Sequence, residues 1–206
     1  MPTPRPTPTT PPPLLRKDAA RNWEQIVAVA RGLVDRGEPL HLNDIARRAG
    51  LGVGTVYRHF ATPEALLETV AAPCLEGLVA HGEQALAAAD TDADAWSALE
   101  GFLYRTVEAQ VTDASLTPVT AAATDALPRT TELKAALFAA GTALLHRAHE
   151  AGVVRRDVTA ADLVPLMCGV AHAVDVHHTT APASARSNRL GTAHRYLAAL
   201  LGGLHA

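Results

Sequence analysis

The strongest constraint on this chain is the period of its apolar residues. Trp23, Ile26, Val27, Ala30, Leu33 and Val34 recur at the i, i+3, i+4, i+7 spacing that lays one stripe along a helix. The same rhythm returns in Leu42, Ile45, Ala46 and Ala49, then in Val53, Val56 and Phe60, and again in Trp96, Leu99, Leu103, Val107 and Val111. No stretch alternates with period two for long enough to make a strand. The fold class is therefore all-α, with about nine helices.

Local signals set the boundaries. Gly37 and Pro39 end the first helix and Gly50 ends the second. Thr62-Pro63-Glu64 opens a helix expected to reach Ala88 with a bend at Pro73, since threonine caps and proline suits the first helical position. Thr91-Asp92-Ala93-Asp94 and Thr159-Ala160-Ala161-Asp162 both have capping-box spacing. Residues 115–127 read as a weaker helix bounded by Pro118 and Pro128, and Thr130–Ala151 as a strong one closed by Gly152. The segment 159–178 is apolar on nearly every side; a loop at Thr179–Ala183 precedes a last helix over 184–204. Residues 2–13 hold seven prolines among threonines, which reads as a disordered or polyproline-like arm with Arg5 as its one cation. The expected organisation is an arm over 1–16, an N-terminal domain over 17–70 and a larger domain over 71–206.

Composition excludes several classes. With 206 residues, 48% hydrophobic and 19% charged, the chain can bury a sizeable core and is neither collagen-like nor wholly disordered. Two cysteines, Cys74 and Cys168, make neither a disulfide framework nor a thiolate zinc cluster. No run of about 18 apolar residues is present to cross a bilayer, and the N-terminal stretch lacks the charged-then-apolar order of a signal peptide; the expectation is a cytoplasmic protein without a membrane partner. The net charge of −3 conceals an asymmetry: residues 1–60 carry +4 and the remainder −7. A basic first third on an acidic body suits a polyanion-binding module, although ordinary solvated faces would show the same charges.

Leu42–Ala61, LNDIARRAGLGVGTVYRHFA, is the informative stretch. It reads as two short helices joined by a tight turn. Ala46 is small where the axes approach, Gly50 takes a backbone conformation with positive φ, and Ile45, Leu51, Val53 and Val56 form the apolar wedge. This is helix-turn-helix geometry, in which the second helix enters the DNA major groove. Its outward face would be Gly54, Thr55, Tyr57, Arg58 and His59, without a carboxylate.

These residues, with Glu64-Ala65-Leu66-Leu67 beyond them, resemble the DNA-binding module of the TetR family of bacterial transcriptional regulators; GTVYRHF is close to its usual recognition-helix wording. The resemblance implies a three-helix operator-binding domain and a six-helix domain for ligand binding and dimerisation. It implies a homodimer on a double-stranded, near-palindromic operator, with recognition helices roughly 34–36 Å apart or a multiple of that. It also implies a small-molecule effector, no cofactor and, most simply, repression. Carried over by position, Thr55 and Tyr57 match phosphate and base-edge contacts, His59 a backbone contact, Arg58 a variable position suited to guanine or phosphate, and Asn43 a position that often meets DNA. Gly52 replaces the usual hydroxyl cap, His41 stands where a hydroxyl is common, and Pro63 replaces a lysine, which should remove about one unit of salt dependence per half-site.

In the body, helices 159–178 and 184–204 are the expected dimerisation pair, with Val170, Val174, Leu190, Leu197, Leu200 and Leu201 as candidate interface residues; the competing reading makes them the core of a monomer. Trp96, Phe102, Tyr104, Phe138, Met167 and Cys168 are candidate linings of an apolar effector pocket, against the plainer role of core filler. His146 with His149, and Cys168 with His172, have spacings that could share a metal, but no third ligand is fixed, so no metal is expected. Nucleophile-elbow, phosphate-loop and zinc-protease motifs are all missing, so no enzyme is expected. The alternative function is a helical small-molecule binding or sequestering protein with a vestigial DNA module.

Overall fold

A computed structural model describes residues 13–88, 92–180 and 188–204. Among the described residues there are nine helices and no strand: α1 (Pro13–Asp35), α2 (Leu42–Ala49), α3 (Val53–His59), α4 (Pro63–Ala88), α5 (Asp92–Thr112), α6 (Leu116–Ala121), α7 (Pro128–Glu150), α8 (Ala160–Thr180) and α9 (Arg189–Gly202). The all-α class demanded by the apolar period is the class observed. Arg5, most of the proline arm, Thr91 and the loop residues after Thr180 lie outside the described residues.

Three boundaries differ from the sequence reading. The first helix begins at Pro13 rather than Lys17; proline is tolerated there because first-turn amides lack intrahelical acceptors. Pro128 opens α7 instead of closing what precedes it, and Pro118 sits inside the first turn of α6 for the same reason. The expected helix over 115–127 stops at Ala121. The cause is tertiary. The Glu68 carboxylate, 4% exposed on α4, accepts from the backbone N–H groups of Ala126 and Leu127 at 2.7 and 2.8 Å and holds that segment as the turn that launches α7. Half of the box at Thr159 forms: Asp162 reaches back to accept from the Thr159 backbone N–H (2.8 Å), while the Thr159 hydroxyl donates to the same carboxylate (2.7 Å) and the Asp162 N–H goes to the Thr159 carbonyl.

The chain divides into two compact units, Met1–Pro63 and Glu64–Ala206. Residues 64–70, grouped by the sequence with the N-terminal domain, are the opening turns of a helix continuous to Ala88. In the first unit α2 packs on both α1 and α3, and Ile26, Ala30, Ile45, Ala46 and Val56 are fully or almost fully buried.

In the second unit α5 is central and packs against α7, α8 and α9. Leu99, Leu103, Leu144, Val174 and Leu197 lie at the heart of this core. A smaller cluster joins α4 (Ala71, Leu75, Leu78) to Leu116, Val119 and Leu133. Gly82 lets α4 pass close to α7, since a Cβ there would fall 2.8 Å from the Ala140 Cβ. Of the expected interface residues, Val170, Val174, Leu197 and Leu201 are buried in the chain's own core, while Leu190 and Leu200 are half-buried against it. A helix that is apolar all round gives no sequence signal for which face turns inward.

Candidate nucleic-acid interface and internal cavity

The turn between α2 and α3 is built by backbone geometry. Gly50 has φ 64°, the left-handed conformation that side chains resist. Its neighbour Leu51 donates its backbone N–H to the Ala46 carbonyl at 2.9 Å, and Gln25 on α1 donates its side-chain amide to the Ala49 carbonyl at 2.6 Å. The end of α2 is thus closed from two sides. Trp23 stacks on Phe60 with ring centroids 6.4 Å apart, which ties α1 to the end of α3.

α3 buries Val56 and turns the rest outward. Tyr57 is 49% exposed, Gly54 and Arg58 are exposed, and Thr55 and His59 are half-buried. Val53 is 47% exposed, which removes it from the expected wedge: one helical turn before Tyr57, it stands on the same outward face. That face has no carboxylate. The Arg58 guanidinium folds back along its helix, donating to the Gly54 carbonyl at 3.1 Å and the Thr55 hydroxyl at 3.3 Å. Asn43 is exposed at the start of α2. Arg48 pairs with Glu38 and Arg47 with Asp44, each at 2.9 Å. Arg36, and after it Arg48, hold the Glu38 carboxyl below the usual carboxylate range. At Gly54 no atom beyond its chain neighbours and the backbone of its own helix lies within 4 Å of where a Cβ would sit, so the chain's packing does not require glycine there.

The second unit encloses a cavity of about 280 Å³ among α4 to α8. Leu78, Leu103, Leu116, Leu137 and Leu163 form most of its wall, with Phe102 and Met167. Phe138 and Val164 line it while being 46% and 45% exposed, which puts the mouth between α7 and α8. Thr106, Gln110, Thr120 and Lys134 are the polar lining groups. Lys134 Nζ donates to Asp125 Oδ1 at 2.8 Å and to the Ala122 and Val119 carbonyls at 3.0 and 3.3 Å. This ammonium, together with the Thr131 hydroxyl, holds the Asp125 carboxyl below its ordinary range.

Two family models match the chain: "Bacterial regulatory proteins, tetR family" over residues 28–70, and "Transcriptional regulator SbtR-like, C-terminal domain" over residues 94–206. The chain belongs to the TetR family. A TetR transcription regulatory protein from Mycobacterium vanbaalenii is 30% identical, covering 93% of this chain and 99% of that one at a TM-score of 0.50. An HTH-type transcriptional regulator of Staphylococcus aureus (strain USA300) is 36% identical over 72 residues, which are 34% of this chain and 39% of the relative, so the chain spans about two-fifths of the length of the curated relatives it matches. The transcriptional regulator FadR from Bacillus subtilis, in complex with stearoyl-CoA, shares the fold at 15% identity and a TM-score of 0.62, over 89% of this chain and 100% of that one. The first of these family models spans the helix-turn-helix formed by α2 and α3.

Within this TetR-family chain the sequence-predicted residues separate clearly. Gly54, Thr55, Tyr57, Arg58 and His59 lie together on α3, and Asn43 is on α2. Of the pocket candidates, Phe102, Phe138 and Met167 line the cavity. The other three do not line it. Trp96 packs against the main core, Tyr104 meets His194 edge-on at 5.2 Å, and Cys168 is half-buried, its sulfur accepting from Gln110 Nε2 at 3.8 Å. The polar lining groups and Glu68 were missed, because a threonine, glutamine or glutamate on a helix carries no periodic signal for the direction it faces. Among the described residues no group of three or more His, Cys, Asp or Glu side chains gathers as a metal site, and no helix is long and apolar enough to cross a membrane.

Proposed function

We propose that this TetR-family regulator is a repressor whose homodimer holds a near-palindromic operator through Asn43, Gly54, Thr55, Tyr57, Arg58 and His59, and releases it when a small, mostly apolar effector enters the body cavity. The observation that carries this reading is the outward face of α3: a phenol, a cation and small polar groups, without a carboxylate, on a helix fixed by the Gly50 turn. Phosphates repel carboxylates and attract such a face. Val53 adds an apolar group suited to a thymine methyl. For the dimer, the support is an exposed stripe of small residues on α9 (Ala198, Ala199, Gly202) and on α8 (Gly169, Ala173), where backbones can approach closely. An effector in the cavity would press on Leu78 of α4, the helix that follows α3 directly in the chain. Coupling between such sites is typically about 1–3 kcal/mol, a several-fold to hundred-fold change in operator affinity.

Titrating the protein onto the DNA upstream of its own gene tests the reading. Binding should be sequence-selective and should weaken steeply as salt rises from about 50 to 200 mM, through release of condensed counterions. No selective shift at concentrations up to about 1 μM would sink the reading, since specific operator complexes form well below that.

A substitution separates the role of Gly54 in the fold from its role on DNA. Gly54→Ala should stabilise the protein by up to about 1 kcal/mol, because glycine is a poor helix former and the position is open. It should nevertheless weaken operator binding, because a methyl would stand between α3 and the phosphates. A melt and a binding isotherm on the same sample would have to move in opposite directions.

A further inference from the structure

We infer that Phe102 sets the length of the apolar chain that the body cavity takes, its ring being a fixed stop at one end. This rests on the reading of the cavity as the effector site and names the residue that makes that site selective. The α5 part of the lining runs from Phe102 through Leu103 and Thr106 to Gln110, a rise of about 12 Å along the helix. α7 lines the same run between Lys134 and Gly141. The two ends differ in character. Lys134 Nζ donates to the Val119 and Ala122 carbonyls of α6, and the Thr117 hydroxyl of α6 donates to the Gln110 carbonyl at 3.5 Å, so Gln110, Thr120 and Lys134 gather at one end. Phe102, Gly141 and Leu163 close the other: a Cβ at Gly141 would stand 3.2 Å from Phe102 Cε1 and 3.4 Å from Leu163 Cδ1.

The Phe102 ring is slotted between two helices. A Cβ on Gly82 of α4 would stand 3.1 Å from its Cε2, on the edge opposite to the one that Gly141 of α7 meets. Both distances fall short of the separation of about 3.5–4.0 Å at which carbon atoms attract most, so neither position admits a side chain unless the ring moves. The ring is 5% exposed. With a glycine backbone on each edge, and α4 and α7 touching beside it at Gly82 and Ala140, it has no room to retreat when a chain presses on it. An extended alkyl chain advances about 1.3 Å per carbon, so about nine carbons fill the run of about 12 Å that ends at the ring.

The matching probe carries no charge. Lys134, the one charged group among the described lining residues, already gives its three N–H bonds to Asp125, Ala122 and Val119. A charged head would have to displace one of them.

The experiment is calorimetric titration of the full-length protein with the straight-chain primary alcohols from 1-hexanol to 1-dodecanol. Affinity in the wild-type protein should climb about fourfold with each methylene, the gain expected for burying it, and level off at about nine carbons. Phe102→Ala removes the stop and should carry the climb on by about two further carbons or more, because the void it leaves is continuous with the cavity. Gly141→Ala adds a methyl at the same end, against the ring, and should end the climb about one carbon early. Truncating a buried ring costs stability, so Gly141→Ala decides the matter if Phe102→Ala does not fold. A levelling point that stays in place in the variants that fold would overturn the inference and leave the cavity its effector role. A wild-type climb that continues unbroken to 1-dodecanol would overturn it too. If no alcohol in the series binds saturably, the cavity reading falls along with it.

Discussion

Glu68→Ala should lower the thermal midpoint of the protein by about 6–12 °C. The Glu68 carboxylate is 4% exposed and receives two backbone amides, from Ala126 and Leu127. Bonds to a charged acceptor contribute about 1.5–3 kcal/mol each. Part of this returns when water reaches the freed amides, because Ala126 is exposed and Leu127 only half-buried. A net loss of about 3 kcal/mol remains, and each kcal/mol shifts the midpoint of a chain this size by about 2–4 °C. Glu68→Gln keeps one acceptor oxygen and should fall between the two. The damage should reach the cavity as well, because the turn held by Glu68 launches α7, which supplies Lys134, Leu137, Phe138 and Gly141 to the wall. A midpoint within about 2 °C of wild type would mean that the two amides find equivalent partners without the carboxylate.

Operator affinity should fall roughly 100-fold or more in the double variant Tyr57→Ala/Arg58→Ala, read by fluorescence anisotropy at fixed salt. Each lost base or phosphate contact of this type costs about 1–3 kcal/mol, and a dimer loses it at both half-sites. Tyr57 is half exposed and Arg58 fully so, which limits the effect on folding; circular dichroism should report an unchanged helix content. On DNA, Arg58 has only to leave the Gly54 carbonyl and the Thr55 hydroxyl, both solvent-facing bonds that are readily exchanged. The salt slope should drop by about one unit for each phosphate contact removed. Unchanged affinity and slope would favour the sequestering protein over the regulator that reads DNA with α3.

The helix α3 was legible in the sequence because its pattern is local. Gly50, Val56 and the outward set from Gly54 to His59 follow from spacing along a few turns of chain, and only Val53 was assigned to the wrong face. That error has a simple origin. At the first residue of a short helix, the apolar period does not say whether a valine ends the wedge or begins the exposed side.

The body was legible only in outline. Fold class, helix order and the helix start at Thr159 with Asp162 reaching back to it are set by periods and caps that act within single helices, so the sequence alone determined them. Tertiary structure alone decided which faces of α8 and α9 turn inward, where residues 122–127 go, and which of the bulky side chains border the cavity. Val174 and Leu197 could serve an interface or a core equally well until α5 occupies one side of them. Glu68 could be one more solvated acid until Ala126 and Leu127 come within reach of it, 58 and 59 residues along the chain. Hydrogen bonding and burial between distant segments depend on how helices pack, and packing leaves no period in the sequence of any one helix.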